Sequence, residues 1–183
     1  MPRPGWLDDL ARLDVAVYAA VAGTPTPALD EPMRRLSGAA DRSKLNLAAA
    51  VLLAVAGGDK GRHAARAGVV SVAATSVVVN AVAKPLARRR RPERDFHAVP
   101  EARHVRMPTS RSLPSGHSAS AFAFATSVGQ VLPYSGAPLR ALAATVAYSR
   151  VHTGVHYPGD VLLGALLGTT VAQAAAHAPS LRR

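Results

Sequence analysis

From residue 45 onward the chain alternates long uncharged stretches with short charged clusters. Residues 67–83, 118–139 and 161–181 are the long stretches. Residues 45–58 form a shorter one, and 141–149 reaches useful length only if its helix begins near Pro138 and accommodates Arg140. A helix that crosses a bilayer needs about 20 mostly apolar residues, with a range of roughly 17–25. Two stretches reach that length and a third sits at its lower edge. The valine- and alanine-rich run at 69–83 has buried strand as its alternative reading. Composition favours helices in lipid: hydrophobic residues are 49 % of the chain but aromatics only 4 %. A water-soluble core of Ala and Val would be thin, whereas small residues let helices approach closely in a membrane. Gly164 and Gly168 are a small-xxx-small pair of that kind.

The formal charge of +11 points to an anionic partner. Its distribution in clusters is unlike the continuous basic face of a nucleic-acid binder. With no cysteine, disulfides and thiolate metal sites are excluded. Near the N-terminus, Asp8, Asp9, Arg12 and Asp14 break the apolar run that a cleaved leader requires. Residues 6–22 instead read as an amphipathic helix. Leu7, Leu10, Val17 and Val21 share a face, and Trp6 and Tyr18 are candidate anchors at a membrane surface. An ordinary helix docked on the body of the protein fits the pattern as well.

Three clusters carry chemistry: Lys84 to Pro92, Pro114-Ser115-Gly116-His117, and Ser149-Arg150 through His156 to Asp160. They supply fixed cations at Lys84, Arg91 and Arg150, imidazoles at His117 and His156, and a carboxylate at Asp160. Ser115-Gly116 also reads as a helix start, whose free N–H groups attract an anion. Phosphoryl transfer needs this set: charge neutralisation, a nucleophile and an acid for the leaving oxygen. Each cluster also has an ordinary reading. Arg88, Arg89 and Arg90 suit a membrane-flanking anchor, Ser115 an N-cap, and His156 with Asp160 an i,i+4 polar pair.

In combination, K-x(6)-R-P, P-S-G-H and S-R-x(5)-H-x(3)-D resemble the signature of the type-2 phosphatidic acid phosphatase superfamily. The resemblance implies that His156 attacks phosphorus, that Asp160 accepts its other ring proton, and that His117 protonates the leaving alkoxide. Lys84, Arg91, Arg150, the Ser115 hydroxyl and the Gly116 N–H would hold the phosphate, with no metal and no other cofactor. His152 lies outside the motif and receives no role.

The expected fold is an all-α integral-membrane bundle of about five transmembrane helices, with an N-terminal amphipathic helix at the interface. It forms one domain over 1–183, with 1–40 as the interfacial region and 41–178 as the transmembrane catalytic core. If each helix crosses once, the three clusters emerge on one side. That side carries 14 Lys and Arg against 6 on the other, or 11 against 6 once Lys84, Arg91 and Arg150 are set aside. The positive-inside rule then places the site in the cytoplasm. Cysteines at Ser112 and Ser180 are natural reporters of that orientation.

The expected substrate is a lipid phosphate. Small size and a cytoplasmic site look like the family members that act on decaprenylphosphoryl-5-phosphoribose. Undecaprenyl diphosphate, phosphatidylglycerophosphate and phosphatidic acid are alternatives. A vanadate-dependent haloperoxidase would use the same anion pocket but needs a longer soluble scaffold. A non-enzymatic protein binding anionic lipid would have no use for His156 and Asp160.

Overall fold

A computed structural model describes residues 5–177, which contain helices and loops and no strand. The chain runs α1 (Gly5–Gly23), α2 (Pro27–Ala39), α3 (Lys44–Ala56), α4 (Gly58–Val77), α5 (Lys84–Ala87), α6 (Gly116–Val131), α7 (Pro133–His152) and α8 (Pro158–Ala176). Residues 69–83 are therefore helix and not strand. A π-helical turn, Val78–Ala83, joins α4 to α5, and the continuous helix Gly58–Ala87 has 30 residues.

Local chemistry sets the boundaries. The tight α3–α4 corner uses Gly57 and Gly58, the latter at φ +58°, a conformation that favours glycine. Ser115 caps α6 with its side-chain oxygen. Leu132 breaks the 118–139 stretch, and Pro133 starts α7 with the fixed φ that suits a first turn. The stretch expected as one helix is thus two, and Pro138 and Arg140 lie inside α7 rather than at its start. Pro158 opens α8, and the Asp160 carboxylate accepts the Tyr157 backbone N–H to close a capping box.

Helix α6 is the centre of the bundle, with α4, α7 and α8 around it. Small residues make this packing possible. Gly68 of α4 faces the Phe124 ring at a distance that leaves no room for a Cβ. A Cβ on Gly164 or Gly168 would collide with the backbone carbonyls of Ser115 and Ala119, so α6 and α8 meet backbone to backbone. The outer faces of α3, α4 and α8 are apolar: Val51, Leu52, Val55, Val77, Leu162 and Leu166 are each more than 60 % exposed. An apolar outer surface on this scale belongs against lipid or protein. Among the described residues two helices, Gly58–Ala87 and Pro158–Ala176, are long and apolar enough to cross a membrane.

Helices α1 and α2 lie against the end of the bundle where α7 stops and α8 begins. Trp6 is exposed, as an anchor must be, but Tyr18 is 1 % exposed and is no surface anchor. It packs edge-on against Tyr157 and His97, and Val21 beside it joins the same apolar cluster. Leu7, Leu10 and Val17 remain exposed.

Candidate active site

The three sequence clusters converge at one end of the bundle, around a cavity of about 200 Å³ whose walls include Lys84, Arg91, Gly116, His117 and His156. Chain direction explains the convergence. Helix α4 brings Lys84 to this end, α6 starts there with Gly116 and His117, and the α7–α8 connection returns there with His156.

His156 is 2 % exposed, and its two ring nitrogens have different partners. Arg91 Nη1 lies 3.1 Å from Nε2. A guanidinium only donates, so Nε2 accepts and keeps its lone pair on the cavity side. The proton is then on Nδ1, 3.4 Å from the Asp160 carboxylate. Burial, reinforced by the charges of Arg91 and Arg150 against the opposing pull of Asp160, holds the imidazole down to about 4. His156 is therefore neutral at physiological pH, the form required of a nucleophile.

Asp160 is fully buried and saturated with donors. Its Oδ2 accepts from Ser112 Oγ and from the Tyr157 N–H, and its Oδ1 lies 3.1 Å from Arg89 Nη1. Sequence reasoning missed both Ser112 and Arg89. Ser112 has no exposed surface, so it is unsuitable as a labelling site, and Ser180 lies outside the described residues. Arg89 was read as a membrane-flanking anchor, yet it turns inward because Arg88 ends α5 at φ +47° and redirects the chain.

Lys84 and Arg91 meet at Ser110. Lys84 Nζ donates to Ser110 Oγ at 3.1 Å and to Asn80 Oδ1 at 3.2 Å. Arg91 Nε donates to the Ser110 carbonyl at 2.9 Å, and Nη1 to the Val155 carbonyl at 2.7 Å. Burial lowers Arg91 from its ordinary value, with Asp160 acting in the opposite direction, and a guanidinium remains charged. The π-helical turn that precedes Lys84 adds a residue to the helix and swings its side chain onto the cavity wall.

Three expected phosphate ligands or catalysts are arranged differently. The Ser115 hydroxyl accepts from Ser118, so it is occupied in capping α6. Arg150, 1 % exposed, donates to the carbonyl and hydroxyl of Ser37 and is not part of the cavity wall. His117 does face the cavity, and its Nε2 is 2.9 Å from Asp41 Oδ1. Asp41, on the turn between α2 and α3, was not foreseen, since 76 residues separate it from His117. His152 is hydrogen-bonded to Asp30 beside the buried Arg103, away from the cavity. Among the described residues, no group of three or more His, Asp and Glu is placed to hold a metal ion.

Residues 66–183 match the PAP2 superfamily. The decaprenylphosphoryl-5-phosphoribose phosphatase of Mycobacterium tuberculosis strain H37Rv is 40 % identical over 102 residues, which are 54 % of this chain and 54 % of that protein. The match thus spans about half the length of that relative. The protein of the same name from Mycolicibacterium smegmatis is 37 % identical over 153 residues, 82 % of this chain and 78 % of that one. Two crystal structures have the same fold. Aquifex aeolicus LpxE aligns with a TM-score of 0.69 at 24 % identity, covering 91 % of this chain and 96 % of that one. The transmembrane PAP2 type phosphatidylglycerolphosphate phosphatase of Bacillus subtilis aligns with a TM-score of 0.69 at 23 % identity, covering 92 % and 85 %.

Proposed function

The chain belongs to the PAP2 superfamily, and from that premise we propose that it is a multi-pass membrane phosphatase hydrolysing a lipid phosphate through a phosphohistidine on His156. The observation that carries this reading is the arrangement at His156. A neutral imidazole presents an unprotonated Nε2, which accepts from Arg91, to a cavity that also holds Lys84 and His117, and a buried carboxylate fixes its tautomer.

In the proposed reaction a phosphate enters the cavity and takes over the donation that Arg91 makes to Nε2. The freed lone pair attacks phosphorus as the bond to the lipid oxygen breaks, and His117 gives that oxygen a proton. Lys84, Arg91 and the Gly116 N–H at the α6 N-terminus hold the equatorial oxygens, while Asp160 balances the imidazolium that forms. Arg150 joins only if the phosphate displaces its present partner Ser37, whereas Ser115, an acceptor in both of its bonds, still has its O–H to donate. Water activated by His117 then cleaves the phosphorus–nitrogen bond, releases inorganic phosphate and restores the imidazole.

We favour decaprenylphosphoryl-5-phosphoribose as substrate, because the curated relatives at 37–40 % identity carry that name. The test is phosphate release by the purified protein from that lipid, undecaprenyl diphosphate, phosphatidylglycerophosphate and phosphatidic acid. The polyprenyl phosphoribose is expected to give the highest kcat/KM. Turnover is expected to persist in EDTA and to be inhibited competitively by vanadate, because Lys84 and Arg91 supply the cationic field. A panel without turnover would refute the reading, and a preference for phosphatidic acid would redirect the substrate.

In this proposal α3, α4 with α5, α6, α7 and α8 are the five crossings, and the site faces the cytoplasm, as the basic excess at its end favours. The absence of native cysteine allows single reporters. Phe96, 81 % exposed beside the site, and Tyr134, 98 % exposed at the opposite end, replace the positions chosen from sequence. In intact cells an impermeant thiol reagent is expected to label a Tyr134→Cys variant and to spare Phe96→Cys. The reverse pattern would put catalysis at the outer face.

A further inference from the structure

We propose that Arg89 and Asp14 are positioning residues for the reaction, coupling the N-terminal helix α1 to the carboxylate that orients His156. The inference rests on the function proposed above. Arg89 spans two carboxylates: Nη1 lies 3.1 Å from Asp160 Oδ1 and Nη2 lies 2.6 Å from Asp14 Oδ2. The guanidinium carbon is also 4.1 Å from the centre of the Tyr157 ring, so its plane is held from a third direction. Asp14 closes the circuit by accepting the Gly159 N–H at 2.6 Å, in the first turn of α8 and next to Asp160 itself.

Geometry makes this more than a surface ion pair. Asp160 has no exposed surface, and Asp14 and Arg89 retain only 12 % and 26 % exposure. A buried carboxylate with one oxygen left unpaired would be costly, and Oδ1 has Arg89 as its side-chain donor. Oδ2, the oxygen that faces His156, is shared with Ser112 and the Tyr157 N–H. Arg89 thus anchors the far side of the carboxylate while the near side serves the imidazole. Gly159 makes the arrangement possible, since a Cβ there would come within 3.0–3.3 Å of the Asp14 carboxylate.

The consequence is that α1, which is 145 residues from Gly159 along the chain, belongs to the catalytic end of the bundle. Arg89 and Asp14 touch neither cavity nor phosphate, so their loss should act on turnover and not on substrate binding.

The test is steady-state kinetics of the full chain in detergent micelles with the best substrate from the panel. Arg89→Gln is expected to lower kcat by about 10–100-fold, the scale seen when a group behind a catalytic ligand is removed, with KM changed by less than about twofold. Arg89→Lys should restore part of the loss by keeping the charge. Asp14→Asn should lower kcat less, and the Asp14→Asn/Arg89→Gln double variant should be no slower than Arg89→Gln alone, since both act through one guanidinium. Wild-type kcat in Arg89→Gln, a loss expressed only in KM, or losses that multiply in the double variant would each overturn the inference. Melting temperature in detergent is measured in parallel. A drop in kcat that Arg89→Lys does not rescue, accompanied by a lowered melting temperature, would assign Arg89 a structural role and also overturn it. An inactive wild-type protein would instead refute the proposed function, which keeps the two failures apart.

Discussion

His156→Ala is expected to lower phosphate release by about 10⁴-fold or more, the scale on which removal of a nucleophile acts. The side chain is buried with its Nε2 at the cavity, and His117, the other imidazole lining it, is bonded to Asp41 and is not placed to take over. The variant should still elute from a sizing column in detergent like the wild type, since alanine removes contacts to Arg91 and Asp160 but leaves the helix packing intact. Asp160→Asn should be impaired without being dead, because the amide keeps an oxygen for Nδ1–H but loses the charge that balances the imidazolium. Near-normal turnover in His156→Ala would end the phosphohistidine proposal.

The second large effect concerns the fold. Gly168→Leu is expected to leave no folded protein, because even the first carbon of the new side chain would overlap the Ala119 carbonyl at the α6–α8 contact. Separating those helices removes the floor on which Ser115 and Asp160 meet, where the Ser115 N–H donates to the Asp160 carbonyl at 2.9 Å. A cost of about 4 kcal/mol or more is a large share of the roughly 5–15 kcal/mol by which a typical domain is stable. Gly38→Ala is the matched control, since nothing lies within 4 Å of a Cβ added there. The measurement is the fraction surviving size exclusion after mild heating. Equal survival of the two variants would contradict the close backbone packing.

Why some of this was legible in the sequence and some not follows from the range of each interaction. The uncharged stretches announced the helices, because a helix in an apolar environment leaves its signature in every residue along it. Their ends were less visible: the break at Leu132 depends on a proline inside an otherwise continuous apolar run. Lys84, Arg91, Gly116, His117 and His156 were found because three short motifs each place their residues at a helix end, and helix direction brings those ends together. Asp160 was singled out by the S-R-x(5)-H-x(3)-D motif, whereas its i,i+4 spacing from His156 by itself suggested only an ordinary polar pair.

What the sequence concealed are partners fixed only by the tertiary fold. Four consecutive arginines look alike in one dimension, and the left-handed turn at Arg88 decides that Arg89 points to Asp160. Asp41, Ser37 and Ser112 have no local pattern that marks them, and each meets its partner across 44 or more residues. For Tyr18 the sequence left two readings open, an anchor at a membrane surface or part of a helix docked on the body of the protein. Tyr18 is buried because Tyr157 and His97 offer it an aromatic pocket that no periodicity in α1 could reveal.

The most direct test of the central claim is a rapid-quench trapping experiment with substrate labelled in the transferable phosphate. The wild-type protein, denatured within the first turnovers, is expected to carry a label that is stable in base, labile in acid and located by peptide mapping at His156. His156→Ala should carry none, and His117→Ala should both gain and lose the label more slowly than the wild type, because leaving-group protonation and water activation are both assigned to His117. A label at any other residue, or turnover with direct transfer to water and no covalent species, would contradict the mechanism.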